Sequence, residues 1–390
     1  MNTERGNGEQ IQHIGLILTI NACMFVFGIV LLLMGSLLPS LNLTSTRAGS
    51  LGSFPLIGIL IATVLIGPIL DKVGGKPVLL VALLLIASAL AVLPSLSSYS
   101  TLAAVALAYG LGAGILNTAT NALISDLSAT GRGAALNLLG FSFSLGAITA
   151  PLLMSLARKR FSVSAVLYLL ALAPAAVLVL VLALRFPPPA QPGTSLKELL
   201  RVLRQPLVWL FGTLLFFESG NENCMFVWAG AMVRDLLHLE AYRATVALLV
   251  VSIALGGGRL LAVLSLKWFG SRVLLLASAF TTIAGAVVAL NNHTFGRIVA
   301  GFAVIGLGMS AIFPTALGLA GDQFPQETGT VFGVIMTLAL AGGAVGPLVG
   351  GWAVSSSPVR VLAVPITAGA AVAVLTLVIS KLKPRRRSQL

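Results

Sequence analysis

Twelve apolar stretches, most of about 20 residues or more, follow one another along this chain with short polar gaps between them. They fall at roughly 14–40, 48–70, 77–96, 99–124, 133–156 and 162–184, and then at roughly 207–232, 243–266, 272–290, 296–320, 327–353 and 358–381. A backbone crossing hydrocarbon must satisfy its own N–H and C=O groups, which leaves only helices or closed barrels. These stretches lack the alternation of barrel strands, so each predicts a transmembrane helix. Only 24 Lys or Arg and 11 Asp or Glu occur among 390 residues, where a soluble domain is about one-quarter charged. That excludes a water-soluble enzyme and a disordered chain. Cys23 and Cys224 both sit in apolar stretches and can form neither a disulfide framework nor a four-ligand zinc site. No H-E-x-x-H, G-x-S-x-G or Walker loop is present, so neither an enzymatic activity nor a metal or cofactor is expected. The first stretch predicts a retained helix and not a cleaved signal, since it is too long and its flank carries Glu4, Arg5 and Glu9.

The longest polar break runs from Arg185 to Gln205 and opens with Pro187-Pro188-Pro189. Within it Leu196, Leu199, Leu200 and Leu203 share one helical face, with Lys197, Arg201 and Arg204 opposite. That pattern predicts a short helix lying on the membrane surface against anionic headgroups. The expected organisation is therefore a six-helix bundle over 1–184, a linker with an amphipathic helix over 185–206, and a second bundle with a basic tail over 207–390. With an even number of spans both termini share a side. That side receives 15 of the 24 cations, including Arg5, Lys72, Lys76, Arg132, Lys267, Arg272, Lys383 and Arg385 to Arg387. The positive-inside rule makes it cytoplasmic. The formal charge of +13 is thus an orientation signal spread over short loops and predicts no nucleic-acid partner. Arg158-Lys159-Arg160 is the local exception, on the outer side.

Shifting the chain by 196 residues superposes its halves. Gly74 falls on Gly270, Lys76 on Arg272, Gly112 on Gly308, Asp126 on Asp322, Gly133 on Gly329, Gly146 on Gly342 and Pro151 on Pro347. Six helices per copy is even, so the copies are parallel repeats about an axis along the membrane normal. That arrangement belongs to transporters that rock one half against the other, and argues against a channel.

Gly67-Pro68-Ile69-Leu70-Asp71-Lys72-Val73-Gly74-Gly75-Lys76 resembles the loop motif of the major facilitator superfamily, G-x-x-x-D-[RK]-x-G-x-[RK]-[RK], with Pro77 at its last position. The resemblance implies the twelve-helix major facilitator fold and a gating latch. Asp71 at a helix end, among cationic side chains and backbone amides, would hold the cytoplasmic side in one state and release it in the other. Gly67, Asp71, Lys72, Gly74, Lys76 and Arg132 are the candidate latch residues. The second copy has Lys267 in place of Asp71, so only the first can act as a charged latch.

A finer resemblance is to fucose permease and its relatives, which include sugar–proton symporters and a branch of sodium–glucose carriers. It rests on Gly114 to Asn121, on Leu136 to Ala147, on Phe217 to Glu222 followed by Trp228, and on Gly258-Arg259. The acidic residue of that family's fourth helix is Asn117 here, and its first-helix Asp is absent from Leu33 to Pro39. The proton-coupling mechanism of fucose permease therefore does not transfer.

A charge inside a membrane span is a functional candidate by default. Glu218, Glu222 and Arg259 are such charges. Glu218 and Glu222 lie four apart in the seventh span and share a face with Asn221. The superfamily resemblance places the seventh helix against the substrate cavity, with the first, fourth and tenth. Either carboxylate could take up a proton on one side and lose it on the other, bind sodium, or accept sugar hydroxyls. Asn117, Thr120 and Asn121 form an uncharged stripe in the fourth span, suited to a polyhydroxyl ligand or to joining packed helices. Asn137 and Asn21 are further candidates of that kind. Phe25, Trp228 and Phe313 could supply stacking surfaces for sugar. Arg259 is expected to form a structural ion pair with Asp322 or Glu327, or else to contact substrate. Pro314 and the run Gly342-Gly343 to Gly346-Pro347 read as kink and close-packing points.

The function expected is secondary transport of a sugar or similar small polar solute by alternating access, coupled to a proton or sodium. The protein would be a monomer in an inner or plasma membrane. An exporter of drugs or amphiphiles, and a non-transporting solute sensor on the same fold, are the alternatives.

Overall fold

The computed structural model describes residues 2–37, 45–128, 130–160, 162–188, 196–238, 241–290, 294–354 and 357–382. Among the described residues all regular structure is helical. The helices are α1 (Asn2–Leu37), α2 (Ser45–Val73), α3 (Gly75–Val92), α4 (Tyr99–Leu127), α5 (Arg132–Arg160), α6 (Val163–Ala183) and α7 (Leu196–Leu203). They continue as α8 (Pro206–Leu237), α9 (Ala241–Trp268), α10 (Ser271–Leu290), α11 (Phe295–Ser310), α12 (Ile312–Gln323), α13 (Thr328–Val354) and α14 (Ala363–Lys381). Lys383 and Arg385 to Arg387 lie outside the described residues, as do the side chains of Arg158, Lys159, Arg160, Leu196, Lys197 and Leu199.

Among the described residues, eleven helical segments are long and apolar enough to cross a membrane. The remaining long helix is α8, the expected seventh span, which gives up apolarity to Glu218, Ser219, Asn221, Glu222 and Asn223. The outer faces carry exposed Leu18, Leu172, Leu348 and Trp352, the surface of a multi-pass membrane protein. The tenth expected span is interrupted, α11 ending at Ser310 and α12 starting at Ile312. Pro314 explains the break. It has no N–H to donate to the Ser310 carbonyl four residues back, and its ring crowds that carbonyl. The Gly-rich part of α13 runs through Pro347 as one helix, so its glycines serve packing there and do not end the helix.

The chain divides into two compact units: Met1–Ser128 with Leu139–Leu200 and Gln326–Gly333, and Ala129–Leu138 with Arg201–Pro325 and Val334–Leu390. The start of α5 therefore clusters with the second unit and the start of α13 with the first, two segments related by the 196-residue repeat. In the first unit α4 packs along α1, α2 and α3, and α6 against α3 and α1. In the second, α11 packs on α9 and α10, α14 on α10 and α8, and α8 also on α9 and α12.

The repeat reappears in the packing. A Cβ on Gly110 would meet the Pro55 backbone, and one on Gly306 would lie 2.7 Å from the Val251 carbonyl oxygen. Both partners obey the same 196-residue shift. Helices in lipid associate through close backbone approach where side chains are small, so the α2–α4 and α9–α11 crossings are one device used twice.

Candidate substrate and coupling site

In the second unit the charged stripe lies on α8. Glu218 and Asn221 are each 1% exposed, and Glu222 follows one turn after Glu218 on the same face. Packing of α8 on α9 brings Arg259, itself 5% exposed, to this stripe. Arg259 Nη2 stands 3.6 Å from Glu222 Oε1. Neither carboxylate oxygen of Glu218 and neither amide atom of Asn221 makes a hydrogen bond of standard geometry within the protein, although the two side chains are close enough to interact. Buried polar groups are normally satisfied, so this is stranded hydrogen-bonding capacity beside an ion pair. Asn223 donates to the Ser219 carbonyl at 2.9 Å, on its own helix.

The pairing expected between Arg259 and Asp322 is corrected: Arg259 faces Glu222, and Asp322 Oδ1 is 3.2 Å from Arg132 Nη1. Depth is the reason. Arg259 lies nine residues before the last residue of α9, about 13 Å along the axis at 1.5 Å per residue. Asp322, by contrast, is the penultimate residue of α12.

The other second-unit candidates are placed differently. Asn137 is fully buried and donates to the Gly133 carbonyl at 2.8 Å and the Thr315 hydroxyl at 3.2 Å, while its Oδ1 accepts nothing. Trp228 donates from Nε1 to the Pro347 carbonyl at 2.8 Å, and its ring covers Gly350 and Gly351. That is a packing position against α13. Phe313 is half-buried near the start of α12.

In the first unit the α4 stripe is largely turned upon itself. Asn121 donates to the Asn117 carbonyl at 2.8 Å and to Asn117 Oδ1 at 3.3 Å, and Thr120 donates to the Leu116 carbonyl at 2.7 Å. Ser142 on α5 donates to Asn21 Oδ1 on α1 at 2.9 Å, which joins two helices. Phe25 is half-buried on α1. Of the two candidate stripes, the one on α8 therefore keeps unmet capacity, at Glu218 and Asn221, whereas on α4 such atoms lie off the stripe, at Tyr109 and Thr118.

The motif residues form a helix-terminus contact, also within the first unit. Asp71 accepts from Gly329 N at 3.1 Å, Thr330 N at 2.9 Å and Thr330 Oγ1 at 2.6 Å. These donors belong to the first turn of α13, whose N–H groups have no intrahelical partner and whose dipole favours an anion. Gly67 lets α2 approach this turn, because a Cβ there would meet Gly329 O at 2.6 Å. Gly74, at φ 81, turns the chain between α2 and α3, a conformation that favours glycine. Lys76 does not join Asp71: its ammonium donates to the Leu182 and Leu184 carbonyls, both at 2.8 Å, at the end of α6. Lys72 is exposed. In the second unit Arg132 donates to the Gly321 carbonyl and to Asp322, and Gly133 faces Leu266 where Gly329 faces Asp71.

Thr330 was not among the sequence candidates. Its signal was the repeat, which marks Gly329 as the start of a fifth helix and hence as a ready set of amide donors for Asp71. Asp71→Asn should cost about 1–3 kcal/mol, because an Asn amide nitrogen turned toward N–H donors leaves them unsatisfied. A lowered thermal unfolding midpoint in detergent measures it, and an unchanged midpoint would deny the contact any energetic weight.

Helical spans throughout the described residues, with ionisable groups buried inside them, define a polytopic membrane protein. The profile of the Major Facilitator Superfamily matches residues 16–290 and 260–390, and the chain belongs to that family. An uncharacterised MFS-type transporter of Yersinia pestis is 26% identical over 309 residues, 75% of each chain. The crystal structure of FucP in the outward conformation superposes with a TM-score of 0.81 at 19% identity, over 95% of this chain and 100% of that one. FucP is described as the E. coli fucose:proton symporter. The proton:xylose symporter XylE, bound to 6-bromo-6-deoxy-D-glucose, superposes at 0.76 with 14% identity over 96% of each chain. At these identities the likeness establishes the fold.

Proposed function

We propose that this protein is a secondary transporter that moves a sugar or similar small polar solute by alternating access, driven by a coupled cation, proton or sodium. The observation that carries this reading is the α8 cluster. Glu218 and Asn221, each 1% exposed, make no hydrogen bond of standard geometry with the protein beside the Glu222–Arg259 pair. Such capacity in a span is costly unless a ligand or ion uses it. The amide stripe of Asn117 and Asn121 on α4, and the sugar:proton symport named for FucP and XylE, support a polyhydroxyl solute. The bias of cations supports cytoplasmic termini in an inner membrane, and the protein acts as a monomer in this reading.

Purified protein should be stabilised by a hexose in a thermal panel of sugars and cations. A ligand at 100 times its Kd stabilises by about 2.7 kcal/mol. The same hexose should exchange across proteoliposomes in counterflow. Stabilisation by detergents or hydrophobic cations alone would replace the sugar reading with an exporter of amphiphiles. Stabilisation by a hexose without counterflow would identify a sensor.

A further inference from the structure

We infer that Glu218 is the proton-carrying carboxylate of this transporter, and that Glu222 serves as the counter-ion of Arg259; this rests on the cation-coupled reading above. The α8–α9 cluster holds two carboxylates and one guanidinium, all largely withdrawn from solvent. With every group ionised, one negative charge is left over in the membrane. Binding one monovalent cation neutralises the cluster, so its charge count sets a stoichiometry of one.

Geometry decides which carboxylate takes the cation. Glu222 already has the guanidinium at 3.6 Å. Glu218 lies one turn away, and neither of its oxygens makes a hydrogen bond of standard geometry. The charged groups acting on Glu218 are Glu222 on its own helix and Arg259 on α9. The other helices packed on α8 carry their charges toward their ends: Asp322 on α12, Lys381 on α14 and Arg297 on α11; Arg360 lies in the turn at Pro358–Leu362, and α13 carries none. Among the described residues no carboxylate other than Glu222 acts on Glu218.

A proton suits this place better than sodium. A hard metal cation needs several oxygen ligands at once. The nearest carboxylate is committed to Arg259, and the guanidinium would repel a second cation. A proton needs one lone pair of Glu218. In the cycle a proton passes from water on one side to a Glu218 carboxylate oxygen. It is released to water on the other side when alternating access opens Glu218 to that side. No other bond is made or broken.

Exchange of charges within the cluster tests the assignment. At neutral pH, infrared spectra of the purified protein should show the C=O stretch of one protonated, apolar-sited carboxyl. Glu218→Gln should remove it. Glu222→Gln should remove it too, because Arg259 then takes Glu218. The double variant E222Q/R259Q should restore it, with Glu218 again unpaired. In proteoliposomes with an imposed pH gradient and L-fucose as probe, the steady-state accumulation ratio should exceed one for the unsubstituted protein and for E222Q/R259Q. It should fall to one for E218Q and E222Q. A band that persists in E218Q, or accumulation that a sodium gradient drives at equal pH, overturns the assignment. So does an E222Q/R259Q protein that folds without the band. Should that double variant fail to fold, the comparison of E218Q with the unsubstituted protein decides alone. Failure of every hexose to exchange would instead sink the sugar reading, and the infrared band would still report on Glu218.

Discussion

Replacing Arg259 by Met should destabilise the protein by about 3–5 kcal/mol, the usual cost of removing one member of a buried ion pair. The side chain is 5% exposed and its guanidinium meets Glu222 at 3.6 Å. Its loss leaves Glu218 and Glu222 four residues apart on one buried face with no cation. Glu222→Gln should cost less, although it breaks the same pair, because Arg259 can turn one helical step to Glu218, whose oxygens make no hydrogen bond of standard geometry. Removing both charges together should recover much of the loss, since a buried pair exchanged for uncharged side chains is often near neutral. Thermal unfolding midpoints of the two single variants and the double variant, in one detergent, give the cycle. The ordering is the sharp part: Arg259→Met worst, Glu222→Gln intermediate, the double variant mildest. Equal losses in the two single variants would mean that Glu218 offers Arg259 no second partner.

How far this site could be read in the sequence follows from what each residue's signal depends on. Glu218, Glu222 and Arg259 stand out because hydrocarbon penalises charge whatever the fold. Their partners do not stand out, because pairing depends on depth, and depth depends on which helices touch. From the sequence Arg259 is expected to reach Asp322 or Glu327, whereas the packing of α8 on α9 puts it beside Glu222. Asn117 and Asn121 are four apart in the sequence, but the donation of Asn121 to its own helix depends on its rotamer. The span positions were legible because lipid demands about 20 apolar residues. The extension of α1 back to Asn2 was not, since a polar helical turn leaves no hydropathy signal. Lys76 belongs to the loop motif by spacing, yet spends its ammonium on the end of α6. A favourable helix C-terminus lay closer than the motif's own aspartate.

The repeat makes its own prediction through glycine. Gly110→Ala and Gly306→Ala should each destabilise the protein by about 1–3 kcal/mol, the range for forced overpacking. A methyl at Gly306 would lie 2.7 Å from the Val251 carbonyl oxygen and 2.9 Å from Ala254 Cβ, and at Gly110 it would press on the Pro55 backbone. Backbone cannot rotate aside as a side chain can, so the α2–α4 and α9–α11 crossings must each widen. Between helices in lipid little hydrophobic force draws them back, because dispersion and close contact supply most of the association. Gly257→Ala is the control. It is exposed on α9 with nothing within 4 Å of its Cβ position, so it should gain the helix preference of Ala over Gly, about 0.5–1 kcal/mol. Opposite signs at Gly257 and Gly306 would separate crowding from helix propensity, since both glycines are helical and only one faces a neighbouring backbone. Parallel losses at Gly110 and Gly306 would show that the 196-residue repeat is preserved as a mechanical constraint in both units. A loss at one position alone would mean that the other crossing can open without harm, and would mark that unit as the more deformable.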